Sequence, residues 1–353
     1  MTTPRRRSRS QPIRYAVVGL GGIAQAAVLP AFAHTSRHSV LRALVSGDPQ
    51  KLERLGNRYG VETRGGYDDY ERCLREVDAV YIATPNARHP EFAIRAARVG
   101  VHVLCEKPLA LTVSECNLMI AACREAGVKL MTAYRLHFEP TTRDVLRLVR
   151  DGRIGDPRFV SSVFSLRAAA SESRASLALG GGSLHDLGVY CINAARRIFA
   201  AEPIEVLAAM SDGARVGLPG IDETTAATLR FADGRIAAFV TSFNAAATSS
   251  LRIVGTDGQI VMEPAFSYAG RLSYTFTANG KTTTHRGRVT DHFANQVRYF
   301  SGCVIDDRAP EPSGTHGAQD VRIVEALLAS ARDGGPQTVG RHRIENHESS
   351  GRG

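Results

Sequence analysis

The chain has 353 residues, 43% of them apolar and 22% charged, with a formal net charge of +9. That length and balance exclude a disordered or fibrous chain and predict two globular domains. Five arginines (Arg5, Arg6, Arg7, Arg9, Arg14) crowd the first fourteen residues, so residues 1–12 read as a solvated basic arm and not as a nucleic-acid or membrane surface. The six cysteines (Cys73, Cys105, Cys116, Cys123, Cys191, Cys303) form no C-x-x-C pair and no zinc-like cluster with histidine. They read as reduced, mostly buried thiols of a cytoplasmic protein, and no metal is expected. No run is long and apolar enough to span a bilayer.

The stretch RRRSRSQPIRYAVVGLGGIAQAAVLPAFA has the arginine-rich start and A-F-A end of an export signal. Its Gly19, Gly21, Gly22 and Gln25 suit a turn better than a signal core, so the stretch is read as a strand and glycine loop. From Ile13 onward, short apolar runs (IRYAVVG, VLRALVS, VDAVYIA, VHVLCE, VKLMTAY) alternate with helical patterns near 22–33, 49–58, 88–98 and 112–126. Buried strands alternating with helices predict a parallel sheet covered on both faces, over residues 13–134.

The first turn, G-L-G-G-I-A, places Gly19, Gly21 and Ala24 in the positions of a dinucleotide-binding loop, with Leu20, Gly22 and Ile23 completing it. Gly19 permits the tight turn, Gly21 lets a pyrophosphate approach the backbone, and Ala24 lets the next helix pack closely on the strand. The second strand ends in Ser46, where NAD enzymes usually carry a carboxylate for the ribose 2′-hydroxyl. A serine hydroxyl, the Gly47 N–H and the Lys51 ammonium would attract a 2′-phosphate, so NADP is favoured over NAD. Asp48 is the rival carboxylate; followed by Pro49, it reads instead as a helix N-cap.

The fifth strand ends in LCEKPLA, which puts Lys107 at the carboxyl edge of the parallel sheet, where such folds bind ligands. Further on, GGGSLHDLGVY sets three glycines before a helix. There Asp186 and Tyr190, at i and i+4, share one face. Ser183 reads as the N-cap, and its spacing to Asp186 is also that of a capping box, which makes capping a rival role for Asp186. FADGR, GTDGQ and TANGK each set Asp-Gly or Asn-Gly between strand-like runs, three hairpin signals within 158–285.

GLGGIA, the ATPN loop (Ala83 to Asn86), CEKP and GGGSLHDLGVY, in that order, resemble the glucose–fructose oxidoreductase / inositol dehydrogenase family. The likeness runs from about residue 12 to 335 and includes AYRLHFEP, AEPIEV and the helix GAQDVRIVEALLASAR. It implies an α/β chain: an N-terminal Rossmann domain that binds NADP, then a substrate and oligomerisation domain (135–335) with an open, mainly antiparallel sheet, and a flexible tail over 336–353. It implies a sugar substrate and a homodimer or homotetramer built on the sheet face. Thr84, Asn86 and His89 would line the cofactor cleft; Glu106 and Arg135 would touch cofactor or substrate. The glycines of 180–182 would let backbone pass close to nicotinamide and sugar, while His185 reads as a packing neighbour.

A free phenol ionises near pH 10 and makes a poor base unless a cation stands beside it. Tyr190 is thus expected as acid–base, Lys107 as its activator and a donor to the sugar, and Asp186 as an orienting acceptor. Tyrosine in place of the histidine common in the family points to its sugar-oxidoreductase branch. The branch has a Trp-Arg pair ahead of the glycines; this chain has no tryptophan, and either Arg174 takes that arginine's place or the contact is missing. The expected activity is oxidation of an aldose at C1 to the lactone, with reduction of a second sugar if NADP is retained. The alternatives are an aldose dehydrogenase with exchanging NADP and an inactive NADP- or sugar-binding sensor.

Overall fold

The structure, a computed structural model, describes residues 11–35, 37–167, 174, 176–214 and 217–340. Arg5, Arg6, Arg7 and Arg9 of the expected arm, and the expected tail beyond residue 340, lie outside these residues. Arg14 does not belong to an arm: it sits in the first strand, and its guanidinium donates to both carboxylate oxygens of Asp78 at 2.9 and 3.1 Å.

The first half alternates β1 (Ile13–Val18), a π-helical turn (Ala24–Val28) running into α1 (Leu29–Ala31), β2 (Ser39–Val45), α2 (Pro49–Tyr59), β3 (Thr63–Gly65), α3 (Tyr70–Leu74) and β4 (Ala79–Ile82). It continues with α4 (His89–Arg98), β5 (His102–Glu106), α5 (Val113–Glu125) and β6 (Leu130–Ala133). The strands form one six-stranded parallel sheet in the order β3-β2-β1-β4-β5-β6. The order reverses between β1 and β4, and the carboxyl ends of the strands at such a reversal are where these sheets form a ligand crevice. Gly19 after β1 and Ala83-Thr84 after β4 both face it. The short β3 and α3 have no strong periodic signal in the sequence.

A 3₁₀ turn (Arg135–Phe138) leads into α6 (Pro140–Arg150) and then β7 (Pro157–Arg167). After the glycine segment come a π-helical turn (Leu184–Gly188) and α7 (Val189–Phe199). The strands β8 (Pro203–Gly213), β9 (Leu218–Phe231), β10 (Ile236–Ser242), β11 (Asn244–Gly255), β12 (Gly258–Met262), β13 (Ser273–Ala278) and β14 (Lys281–Arg286) follow. All three predicted hairpins form, joining β9 to β10, β11 to β12 and β13 to β14. In the last of them Asn279 and Gly280 both take positive φ, +50° and +71°, as an Asn-Gly turn of this kind requires. The chain ends in α8 (His292–Ile305), α9 (Gly314–Asp333) and the edge strand β15 (Gln337–Thr338), which pairs with β8 inside the stretch expected to be a tail.

The second sheet has nine strands, β14-β13-β12-β11-β7-β10-β9-β8-β15, antiparallel except where β7 meets β10. One face is covered by α7 through Val189, Ile192, Ala195 and Phe199. The other carries exposed Phe159, Leu207, Ile236 and Val240. The last two helices bind the halves together. Phe293, Val297 and Phe300 of α8 bury themselves against β1 and its neighbours, and the Tyr15 hydroxyl meets Ser301 Oγ at 2.8 Å. On α9, Ala318 and Val321 join the first sheet's core while Ile323 and Leu327 join the second's. Burial of apolar surface on both sides makes this helix a common wall, and it holds the carboxyl edge of the first sheet against the start of α7.

Two buried histidines give the fold a pH dependence. Burial lowers His89 and His102 to about 4. His102 Nδ1 accepts the Lys129 N–H at 3.0 Å and must be unprotonated to do so. Between pH 6.5 and 4 the unfolded chain takes up protons that the folded chain excludes, so stability falls as pH falls through that window. At its lower end each histidine costs on the order of 3 kcal/mol. The melting temperature is expected to be level from pH 8 to 7 and to drop steeply below 6.5; a level curve down to pH 5 would show that these rings are not buried neutral.

Candidate active site

The site lies on the seam between the sheets. Lys107 follows β5, and its ammonium donates to the Asp186 backbone carbonyl at 2.7 Å and to Asp186 Oδ1 at 2.8 Å. The same nitrogen lies 4.8 Å from the centre of the Tyr190 ring. The three expected catalytic residues therefore meet, although residue 107 comes from one half and 186 and 190 from the other. The detail differs from expectation. Lys107 stands over the phenol ring and makes no hydrogen bond to its hydroxyl among the described residues. Asp186 is not free to orient a substrate alone, because it anchors Lys107 and also accepts from Arg174 Nε at 3.3 Å.

Burial works against the Lys107 charge, but Asp186, Tyr190 and Glu106 outweigh it and hold the ammonium above its usual range. Burial likewise works against the Asp186 charge; Lys107 and Arg174 outweigh it and hold the carboxyl below the usual range. Both groups stay ionised at neutral pH. An ammonium has three N–H donors, two of them committed to Asp186, so one remains for a ligand hydroxyl.

Ser183 does not cap the helix. Its backbone is already helical (φ −67°, ψ −32°) and its side chain makes no capping bond. The cap comes from Asp222 of β9, whose Oδ2 accepts from the Leu184 N–H at 2.7 Å, from Ser183 Oγ at 2.8 Å and from Thr225 Oγ1 at 2.8 Å. The rival capping role for Asp186 falls with this geometry. The turn that follows is π-helical, as is the turn after the first glycine loop, a local widening often found where side chains are re-aimed at a site.

The glycines of 180–182 are required, but by protein neighbours. A Cβ on Gly180 would stand 2.4 Å from Leu111, one on Gly181 2.4 Å from the Arg174 carbonyl oxygen, and one on Gly182 1.9 Å from Asp222 Oδ1. Gly180 also accepts the Asn86 side-chain N–H at 2.9 Å, tying the loop after β4 to this segment.

The carried-over cofactor positions divide into two groups. Gly19 has φ +87° and packs so tightly that a Cβ would lie 2.5 Å from the Ala83 carbonyl. Beside Gly21 and Gly22 a Cβ would meet nothing within 4 Å, so the turn presents bare backbone to open space. Leu20 is buried and offers only its backbone, while Ile23 is half-buried. Thr84 Oγ1 is buried with no hydrogen-bond partner among the described residues. The exposed glycine backbone and this orphaned hydroxyl, on either side of the β1/β4 crevice, fit a dinucleotide.

Other expected contacts point elsewhere. His89 does not line the cleft: its ring is fully buried, with Nδ1 2.9 Å from the Pro108 carbonyl oxygen and Nε2 3.1 Å from the Thr84 carbonyl oxygen, and the neutral ring donates its one N–H to one of the two. It fastens the loop after β4 to the loop after β5. Glu106 is also buried. It accepts from the Tyr81 hydroxyl at 2.6 Å, and burial raises its carboxyl above the usual range. Arg135 is buried too, donating to the Phe266 carbonyl and to His292 Nδ1, with its guanidinium carbon 5.0 Å from the Tyr190 ring centre. His185 is buried as expected, yet its Nδ1 has no partner among the described residues.

At the end of β2, Asp48 is the N-cap of α2, accepting the Lys51 N–H at 3.0 Å. Lys51 Nζ lies 3.1 Å from Asp48 Oδ2, and Ser46 Oγ accepts the Asp48 N–H at 3.2 Å. Gly47 is closed on one side by Tyr67, whose ring would lie 2.9 Å from an added Cβ. Among the described residues no group of three or more histidine, cysteine or acidic side chains could hold a metal ion, and no helix is long and apolar enough to cross a membrane.

Residues 13–134 match the model of an oxidoreductase family with an NAD-binding Rossmann fold, and residues 142–261 match the GFO/IDH/MocA C-terminal domain. The chain belongs to the GFO/IDH/MocA oxidoreductase family. As a member it is an NAD(P)-dependent oxidoreductase with the two-domain α/β architecture of the group. It is 31% identical over 326 residues to the NADP-dependent D-xylose 1-dehydrogenase 2 of Haloferax volcanii, spanning 91% of this chain and 98% of that protein. The aldose–aldose oxidoreductase of Caulobacter crescentus, solved with glycerol, superposes with a TM-score of 0.88 at 36% identity, over 93% of this chain and all of that one. A 3-ketoreductase of Actinomadura kijaniata, solved with NADP and TDP-benzene, superposes at 0.83 with 27% identity, over 91% and 98%.

Proposed function

We propose that this family member is an NADP-dependent sugar oxidoreductase that oxidises an aldose at C1 to its lactone. The observation that carries the reading is the Lys107 ammonium, held by Asp186 and standing over the Tyr190 ring at the mouth of the crevice. The names of the xylose dehydrogenase and the aldose–aldose oxidoreductase supply the substrate class.

Bound along Gly21, Gly22 and Thr84, NADP would supply the redox chemistry, accepting the hydride from the sugar's C1. Tyr190, as the phenolate, takes the C1 hydroxyl proton as the carbonyl forms, so one proton and one hydride leave the sugar together. Lys107 donates its third N–H to a sugar hydroxyl and keeps positive charge beside the phenol. Arg135, behind the ring, adds a second cation. Asp186 holds Lys107 in place, and Arg174 shares that carboxylate, which supports its taking the part of the arginine in the branch's Trp-Arg pair. Lys51 and Ser46, at the end of β2, would receive the 2′-phosphate, with Asp48 already committed as a cap. The reading extends to a homo-oligomer through the exposed sheet face and to a cytoplasmic setting, in keeping with six free, buried cysteines.

The test is the absorbance spectrum of the purified protein mixed with glucose or xylose. A band of reduced nicotinamide that appears without added dinucleotide and stops at one equivalent supports a retained cofactor that a second sugar must reoxidise. Continuous growth only with added NADP supports a dehydrogenase with exchange. No band with either sugar and either dinucleotide defeats the proposal. Light scattering on the same sample should give a multiple of 38.0 kDa; a monomer would remove the oligomer.

A further inference from the structure

Two turns along α7 from Tyr190, a cleft of about 850 Å³ opens between α6, α7 and the start of α9. Five arginines line it, with Asp144 and Glu202 as the acids among its walls. Two of the arginines are spoken for. Arg147 pairs with Asp144, and Arg196 pairs with Glu202 and with Asp320, each at 2.6 Å. Arg143, Arg150 and Arg197 have no acidic partner among the described residues.

Arg143 and Arg150 lie seven residues apart on α6, two turns along one face, and Arg197 looks across at them from α7. Burial, and then repulsion from Arg143 and Arg150, lower Arg197 to about 10. Burial is the larger cause, the like charge of Arg143 and Arg150 adds to it, and Asp320 partly opposes both. The walls between the cations are Pro140, Leu146, Ala200 and Ala201, apolar surface against which the body of a small molecule could lie.

We propose that this cleft is a second ligand site, separate from the dinucleotide crevice, which binds a phosphoryl group through Arg143, Arg150 and Arg197. Three guanidinium forks around one space suit a dianionic phosphate, whose oxygens accept paired N–H bonds; a single carboxylate would leave two of the cations uncompensated. The volume is larger than an ion needs and is in the range of small-molecule sites, so the chemistry fits a phosphorylated metabolite as well as free phosphate.

Calorimetric titration of the whole protein, saturated with NADP so that the dinucleotide crevice cannot take up the probe, tests this. Inorganic phosphate, inorganic pyrophosphate and glycerol 3-phosphate, which has no aldose C1 to oxidise, are the probes, with malonate as the carboxylate control. The expected result is one site that binds a phosphoryl probe more tightly than malonate and loses affinity at least about tenfold in R143Q/R150Q, as expected when two charge-assisted contacts go. Tighter binding of glycerol 3-phosphate than of free phosphate would mark a phosphorylated metabolite as the ligand; the reverse would mark the free anion. The double variant removes exposed, mutually repelling charges, so its melting temperature without ligand and its kcat should match the parent's, which separates loss of binding from loss of fold. The proposal is overturned if no phosphoryl probe binds the parent, if malonate binds as well as phosphate, or if the double variant binds unchanged.

Discussion

Tyr190→Phe is expected to lower kcat/KM for aldose oxidation by about 10²- to 10⁴-fold, the usual worth of a positioned acid–base group. The ring would keep its contacts with Phe164 and Phe266 and its place beside Lys107 and Arg135, so the melting temperature should move little. NADP affinity, read by fluorescence titration, should not change, because the glycine turn and Thr84 lie on the other sheet. Lys107→Met is the companion. It removes the cation over the phenol and leaves Asp186 with Arg174 alone, so it too should abolish most turnover. The pair acts as one device, and the double variant should therefore be hardly worse than either single change. Turnover in Tyr190→Phe within about threefold of the parent would mean that the proton leaves by another route, and the mechanism proposed here would have to be abandoned.

The parts of this molecule that could be read from the sequence are those whose cause is local. The first turn announces itself because Gly19 must take φ +87° and pack on Ala83, both consequences of a few adjacent residues. The hairpins do so because Asp-Gly and Asn-Gly satisfy a turn without help from elsewhere. Asp48 could be read as a cap because the proline after it fits the first helical position. The meeting of Lys107 with Asp186 and Tyr190 spans 79 residues and more, and only the family resemblance brought those positions together.

Where the cause is tertiary, the sequence shows a requirement without its reason. Three glycines in a row mark a crowded place, and part of the crowd is protein: Leu111, the Arg174 backbone and Asp222. His89 and Arg135 bear the polar groups of ligand contacts and spend them on the protein itself, which depends on how the loops after β4, β5 and β6 lie against one another. Asp222 leaves no mark at all: IDETTAA is an ordinary strand with a carboxylate in it. A signal would have needed the knowledge that β9 runs beneath the start of α7.

Asp222→Ala is expected to have the largest effect of any change outside the catalytic group. Three donors converge on Asp222 Oδ2, and two of them, Ser183 and Thr225, are fully buried. Ser183 can still turn to Thr241 Oγ1 at 3.1 Å, so its loss is partly recovered. The Leu184 N–H, at the head of the helical turn, loses its cap, and the Thr225 hydroxyl loses its acceptor. With hydrogen bonds to a carboxylate worth about 1.5–3 kcal/mol each, and one of the three partly replaced, the variant should lose on the order of 3 kcal/mol of stability. The damage reaches function through the turn itself, since Asp186 lies two residues beyond Leu184 and fixes Lys107 with both its carbonyl and its carboxylate. A fall in kcat/KM should accompany the fall in melting temperature, with NADP affinity much less affected. Asp222→Asn keeps one acceptor oxygen and should recover part of both losses. If alanine at 222 leaves stability and turnover intact, the start of α7 is held by something other than this carboxylate, and the positioning of Lys107 would need a different account.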